Sequence, residues 1–279
     1  MIQEFRLKQL IHAALEEDIG SGDVTTRAIL TGDESGTAEA ISKDDIIIAG
    51  IGVFTEVFLS IDATIRCETV MGDGTPVTAG TVCARVTGNL QHILTAERVA
   101  LNFLQRMCGI ATLTRRYVDA LKGTKTKLLD TRKTIPCLRD LDKYAVRVGG
   151  GHNHRMGLYG GAMIKDNHIT AAGGITRAVS MVSRKIPPTL KIEVETKTLG
   201  EVEEAVSARA DIIMLDNMHV ADMKRAVSII DGRALTEASG NVTLANVREI
   251  AETGVDFISV GAITHSAPAA DISLNVVVE

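Results

Sequence analysis

Arg132, Lys133, Arg139, Lys143, Arg147, Arg155 and Lys165 all fall within residues 130–168, where the opposing acids are Asp130, Asp140, Asp142 and Asp166. The chain as a whole is formally at −5, so cations are concentrated locally against an acidic background. Arginine offers carboxylate or phosphate a planar two-pronged donor, and lysine offers a point charge. The glycine run Gly149-Gly150-Gly151 lies beside His152-Asn153-His154 in the same stretch. A solvated basic face is the plain alternative, but other segments make the same anionic demand, and together they predict an anion pocket. The two histidines stand at i, i+2, poor spacing for two metal ligands on one helix, and no third ligand is near in sequence. His154 is therefore expected to hydrogen-bond a substrate carboxylate rather than to bind metal.

The elements that would position these groups are six short apolar runs ending on polar residues: KLLDTRK, AMIKDN, LKIEVET, DIIMLDN, LTEASGN and FISVGA. Helical stretches lie between most of them, at 170–185, 199–208, 220–230 and 244–253. Alternation of this kind predicts a parallel sheet with strands buried on both faces. A parallel barrel gathers reactive residues at the carboxyl ends of its strands. In this register Arg132, Lys133, Lys165, Glu195, Asp216, Glu237 and Ser239 share one rim. The expected architecture is α/β: a small N-terminal α+β sandwich, residues 1–107, and an open, incomplete parallel α/β barrel of fewer than eight strands, residues 108–266. A tail at 267–279 is expected to pack on the first domain. Ser239-Gly240-Asn241 and Val260-Gly261-Ala262 each lead from a strand into a helix, where backbone N–H groups and the helix dipole favour phosphate. Glu195 and Asp216, at strand ends, suit sugar hydroxyls or a hydrated Mg²⁺, with a cross-barrel salt bridge as the structural alternative.

In the first domain a helix is expected to reach about residue 17 and stop at Gly20-Ser21-Gly22. Strands are expected at 37–42, 45–49, 64–70 and 81–87, with a Gly72-Asp73-Gly74-Thr75-Pro76 turn joining the last two into an antiparallel layer. Asn89 caps a long helix, Gly109 is expected to break it, and a second helix runs to about residue 122. Aromatic content of 3%, no Trp and a pI near 5.8 argue against nucleic-acid binding. Cys67, Cys83, Cys108 and Cys137 show no paired spacing and are expected as small buried residues. The amino terminus reads as an amphipathic helix rather than a leader, and no apolar run reaches the ~20 residues of a membrane span. A cytoplasmic protein without membrane or nucleic-acid partners is the expectation.

With these residues in place, LEEDIGSGDVTT, LTAERVALNFLQRMCGIAT, DTRKTIPCLRDLDKYAV, GGGHNHRMGL, IKDNH, EVET, IMLDN, EASGN and SVGAITHS together resemble the quinolinate phosphoribosyltransferases. They span residues 15–266 in that family's order. The resemblance implies transfer of phosphoribosyl from phosphoribosyl pyrophosphate to quinolinate with Mg²⁺, giving nicotinate mononucleotide, pyrophosphate and CO₂ in NAD biosynthesis. It implies a homodimer or higher even oligomer in which Arg98 enters the neighbouring site. It implies that Arg132, His154 and Arg155, with the partner's Arg98, hold the two carboxylates of quinolinate, and that Thr131 binds substrate. Lys133 and Lys165 would lie between that dianion and the pyrophosphate. Glu195 and Asp216 would meet the ribose directly or through Mg²⁺, and Ser239, Gly240, Asn241, Val260, Gly261 and Ala262 would seat the 5′-phosphate. Lys133, Lys165, Glu195 and Asp216 are thereby the expected catalytic set. Small departures from the family's pattern, Gly160-Gly161 and Lys197, touch none of these positions.

Three other readings compete. A Schiff-base lysine at Lys165 or Lys191 is one, but it wants a single desolvated amine rather than a ring of cations. The second is a non-catalytic anion binder. The third is a transferase for another aromatic acid, whose missing carboxylate would leave part of the cation cluster unpaired.

Overall fold

The computed structural model describes residues 4–277. Elements run α1 (Glu4–Ile19), α2 (Val24–Ile29), β1 (Ser35–Ser42), β2 (Ile46–Ile47), α3 (Ile51–Ile61), β3 (Arg66–Thr69), β4 (Pro76–Val77), β5 (Val82–Asn89), α4 (Leu90–Ala120), β6 (Lys127–Leu129) and α5 (Arg139–Val148). They continue β7 (Ala162–Ile164), α6 (Asp166–Ala172), α7 (Ile175–Ser183), β8 (Ile192–Thr196), α8 (Leu199–Ser207), β9 (Ile212–Asp216), α9 (Val220–Ile230), β10 (Leu235–Ser239), α10 (Val247–Ala251), β11 (Phe257–Ser259), α11 (Ala262–His265) and β12 (Ile272–Val277). The described residues form two compact units, one of residues 4–115, 135–150 and 264–277, the other of 116–134 and 151–263. The division is not one cut in sequence: a piece of the basic stretch, 135–150, belongs to the first unit. No described helix is long and apolar enough to cross a membrane.

The first unit holds an antiparallel sheet ordered β12-β1-β5-β3. Along β1 the residues Ala38, Ala40 and Ser42 are buried while Thr37, Glu39 and Ile41 face the wetter side, the period-2 signature of a half-covered sheet. Across that wetter face Arg85 bridges Glu39 at 2.8 Å and Glu68 at 3.3 Å on the flanking strands. The short β2 and β4 pair separately. Buried Ile11 and Leu15 lie one helical turn apart on α1, and Phe54 and Phe58 stack edge-on within α3, centroids 5.0 Å apart. That helix has no counterpart among the sequence expectations: its run of Ile, Val and Phe carries little polar contrast, so its period is hard to read.

Gly109 does not break α4, which runs unbroken from Leu90 to Ala120. A Cβ at Gly109 would overlap the backbone carbonyl oxygen of Pro268, so glycine is there to let the C-terminal segment approach the helix. In the same unit Arg106 donates to Asp142 through two parallel hydrogen bonds, 2.9 and 2.8 Å, and Asp142 is fully buried. Arg106 compensates a charge that would be costly alone. Cys83 and Cys108 are buried as expected; Cys137 is exposed, in a left-handed turn at φ 65°.

In the second unit six parallel strands follow the order β6-β11-β10-β9-β8-β7. Each of the six apolar runs is a strand. Successive strands β6 and β7 stand at opposite edges, so the sheet is an open barrel; beyond β6 only an isolated bridge from Leu129 to His152 extends it. Val194, Ile213, Leu215, Ala238 and Ile258 are fully buried on one face. Alternate residues, in register across strands, bring Glu195, Met214, Glu237 and Phe257 to the other. The helix expected at 170–185 is two, α6 and α7, parted by Gly173-Gly174, and that expected at 244–253 is the shorter α10. Gly109→Ala is predicted to lower unfolding free energy by ~1–3 kcal/mol, the cost of overpacking against backbone, measured by urea denaturation.

Candidate functional site

At the carboxyl ends of these strands lies a cavity of about 550 Å³ whose wall includes Thr131, Arg132, Lys133, His154, Arg155 and Lys165. Glu195, Asp216, Glu237, Ser239, Gly240 and Asn241 complete it, with Met163, Met214, Asn217 and Ser259. A larger cavity, about 750 Å³, opens at the amino ends of the same strands beside Lys125, Lys191, Arg209 and Arg233. The first is the candidate site, because it joins cations, carboxylates and a glycine turn at the carboxyl end of the parallel sheet, where ligands bind. Arg139, Lys143 and Arg147 of the basic stretch are not in its wall; they sit on α5 in the other unit. Arg98, exposed on α4, is likewise absent from the wall and belongs to the other unit.

The cations are held from beneath by buried acids. Asp130, fully buried at the end of β6, accepts from the backbone N–H of His154 at 2.9 Å and from the Asn153 amide. This pins the segment that carries Arg155. The Arg155 guanidinium donates to the carbonyl of Gly161 at 2.9 Å. Burial, and then the neighbouring Arg132, both lower its pKa. Two guanidiniums are thus held close enough to repel one another, an arrangement that a bound dianion would relieve.

His154 lies deeper. Its Nε2 is 3.0 Å from Glu193 and 3.5 Å from Glu237, and its Nδ1 receives the Arg155 backbone N–H at 2.7 Å. Burial works against a charged ring, but the hydrogen bonds and charges of the two glutamates outweigh it and push the pKa up to about 10. The amide aimed at Nδ1 makes the opposite demand, since it needs a lone pair there. Common to both is a proton on Nε2, which faces the two glutamates. His154, Glu193 and Glu237 have the spacing of a three-ligand metal group. Around the Nε2 proton the three groups stand within ion-pair distance.

On the other side of the cavity Lys165 Nζ pairs with Glu195 at 3.0 Å, while Asp216 accepts from the Asn217 amide at 3.0 Å. Lys197 pairs with Asp166 at 3.2 Å, away from the wall. Asn217 and Asn241 adopt left-handed backbone, φ 55° and 51°, and join through their side chains at 2.9 Å. Gly240 lies between at φ 91°, and a Cβ there would overlap the Asn217 amide. Ser259 donates to Ser239 at 3.0 Å. Val260 is buried and its N–H donates to Leu129 O at 3.0 Å. That amide is spent on the sheet, and neither Val260, Gly261 nor Ala262 lines the cavity. Sequence reasoning missed Asn217, Met163, Met214 and Glu193, and placed Ser259 only at the start of its second phosphate turn. The ASGN/LDN pairing of two strand ends was the available signal for Asn217. Gly240→Ala is predicted to cost ~1–2 kcal/mol of stability, the left-handed penalty for a residue with Cβ, read by thermal and urea unfolding.

Comparison with known proteins gives one consistent family. Residues 23–108 match the model for the quinolinate phosphoribosyl transferase N-terminal domain, and residues 110–275 match that for its C-terminal domain. A protein of Synechocystis described as a probable nicotinate-nucleotide pyrophosphorylase (carboxylating) is 47% identical over 266 residues, covering 94% of this chain and 90% of its own. The crystal structure of NadC from Streptococcus pyogenes superposes with a TM-score of 0.95 at 39% identity, covering 100% and 99%. The nicotinate-nucleotide pyrophosphorylase of Francisella tularensis does so at 0.94 and 42%, covering 99% and 98%.

Proposed function

The chain belongs to the quinolinate phosphoribosyltransferase family, and we propose that the cavity at its strand ends is where phosphoribosyl passes from phosphoribosyl pyrophosphate to quinolinate. The protein is a nicotinate-nucleotide pyrophosphorylase of the carboxylating type, an enzyme of NAD biosynthesis. What carries the site assignment is the pair Arg132 and Arg155, held side by side in one cavity wall. Quinolinate brings two adjacent carboxylates, and their charges answer the two guanidiniums.

In this reading Arg132 and Arg155 hold the dianion, aided by Thr131, while His154 fixes Arg155 through its backbone. Lys133 and Lys165 face the pyrophosphate. Glu195, already paired with Lys165, takes ribose hydroxyls. The Ser239-Gly240-Asn241 turn seats the 5′-phosphate, with Gly261 and Ala262 beyond it. Asp216 offers oxygen to a hard cation, and Mg²⁺, held mainly through the substrate's own oxygens, would supply charge neutralisation at the leaving group.

The protein's contribution to transfer is alignment and charge. Holding the pyridine nitrogen in line with the ribose carbon replaces a bimolecular encounter. Lys133 and Lys165 stabilise charge as pyrophosphate leaves, and Glu195 stabilises the oxocarbenium-like sugar. Once the nitrogen is alkylated, the pyridinium ring accepts the electrons of the C–CO₂⁻ bond, so the ring itself drives decarboxylation. A Schiff-base reading fits less well: Lys165 is ion-paired, and Lys191 lies outside the cavity wall. The same proposal includes a cytoplasmic homodimer in which the partner's Arg98 completes the pocket.

The test is pyrophosphate release from phosphoribosyl pyrophosphate and Mg²⁺ with quinolinate or with nicotinate. Release with quinolinate alone, matched by CO₂, is expected; release with nicotinate overturns the substrate assignment. Arg132→Ala and Arg155→Ala are each predicted to lose at least ~100-fold in kcat/KM, the cost of leaving a desolvated carboxylate unpaired, with unfolding curves unchanged. Mixing inactive Arg98→Ala with inactive Arg132→Ala protein under subunit exchange is expected to restore activity, because one hybrid site then has both arginines.

A further inference from the structure

Arg132 and Arg155 reach the cavity on separate pieces of chain, one just past β6 and the other past His152. Backbone pairing keeps the two pieces side by side only as far as that histidine. Asp130 N–H donates to His152 O at 3.1 Å, and His152 N–H donates to Leu128 O at 2.9 Å. The parallel bridge from Leu129 to His152 is the end of this pairing. A side chain then takes over. Asp130 is fully buried, and its carboxylate accepts the His154 backbone N–H on Oδ1 at 2.9 Å and the Asn153 side-chain amide on Oδ2.

The chain from this carboxylate to each guanidinium is short. Arg132 stands two residues after Asp130, and the Thr131 hydroxyl between them accepts the Lys133 N–H at 2.9 Å, closing a local turn around Arg132. Arg155 follows His154 directly, and its own N–H is taken by the His154 ring at 2.7 Å. Neither arm has slack in which an error of position could be absorbed. Asp130 and Asn153 are themselves absent from the wall that holds the two arginines, so they act on a ligand only through those arginines. A carboxylate suits this place because each oxygen can accept a donor. An amide in its position would accept on one side and turn a second donor against the other.

We propose that Asp130 and Asn153 are a positioning pair that sets the separation of Arg132 from Arg155, and that this separation makes the site selective for two carboxylates on adjacent ring carbons. A single carboxylate needs one guanidinium and is indifferent to where the second one lies. Two adjacent carboxylates need both at a fixed spacing. Arg132 and Arg155 repel one another, so they keep that spacing only while their backbones are tied together. The tie has to be stiff, since binding groups must be held to within about 0.5 Å of their working geometry. This rests on the cavity being the quinolinate pocket.

The test measures Kd for quinolinate and for nicotinate by calorimetry, and KM for phosphoribosyl pyrophosphate, in native, Asn153→Ala, Asp130→Asn and Arg132→Ala enzyme. Asn153→Ala leaves the buried carboxylate in place. Quinolinate Kd is expected to rise about 10-fold in Asn153→Ala and about 100-fold in Asp130→Asn, the scale of a ~1 Å misplacement, with the other two constants within about threefold of native. The preference for quinolinate over nicotinate then falls by nearly the same factors. A merely structural role would weaken all three ligands together, in step with the loss of folded protein. That parallel loss overturns the proposal, and so does native quinolinate affinity in both variants. If Asp130→Asn does not fold, the ratio of the two Kd values in Asn153→Ala decides by the same criterion. Arg132→Ala separates the two levels of the argument: unchanged quinolinate affinity there removes the pocket assignment on which the proposal rests.

Discussion

The site depends on acids buried beneath its cations. Arg132 and Arg155 stand near enough to repel, and the segment bearing Arg155 and His154 is held by Asp130, Glu193 and Glu237, none more than 3% exposed. Carboxylates in the barrel interior hold the positive groups at its mouth. An anion entering the cavity would then meet donors already oriented, so little reorganisation would be left for the reaction itself. The same acids would be costly without their partners, which ties the stability of the barrel interior to the arrangement of the pocket.

An open parallel sheet makes this division possible. Residues alternate along each strand: Val194, Ile213 and Ala238 pack on one face, while Glu193, Glu195 and Glu237 project on the other. Height along the strand then decides chemistry. Glu193 lies low and meets His154, whereas Asp216 and Ser239, at the strand ends, reach the rim. One sheet thus provides a polar rim at the strand ends and a floor of buried carboxyl groups beneath it.

Much of this was legible in the chain. All six strands showed as apolar runs ending in polar residues, because strands covered on both faces must be apolar throughout and can change character only where they emerge. The long helix after Asn89 was also clear. Gly109 misled because a helix-breaking residue type had a tertiary purpose, the approach of Pro268. The α3 helix was hidden by uniform apolarity. At the site, Lys165, Glu195, Asp216 and the Ser239-Gly240-Asn241 turn announced themselves by position at strand ends. Glu193 did not, since a glutamate near the start of a buried strand looks like a defect until a partner is seen opposite it.

By itself, then, the sequence determined the alternation of strands and helices, the end of the sheet where polar groups collect, and an excess of cations between residues 130 and 168. Those are properties of residue type and local period. Tertiary structure decided which of the cations share a wall, setting Arg132, Lys133, Arg155 and Lys165 there and leaving Arg139, Lys143 and Arg147 on a helix of the other unit. It also decided that His154 is held between Glu193 and Glu237, residues 39 and 83 positions farther along the chain. No local pattern encodes a meeting at that separation. It exists because parallel strands in register bring equal heights of distant segments to one face.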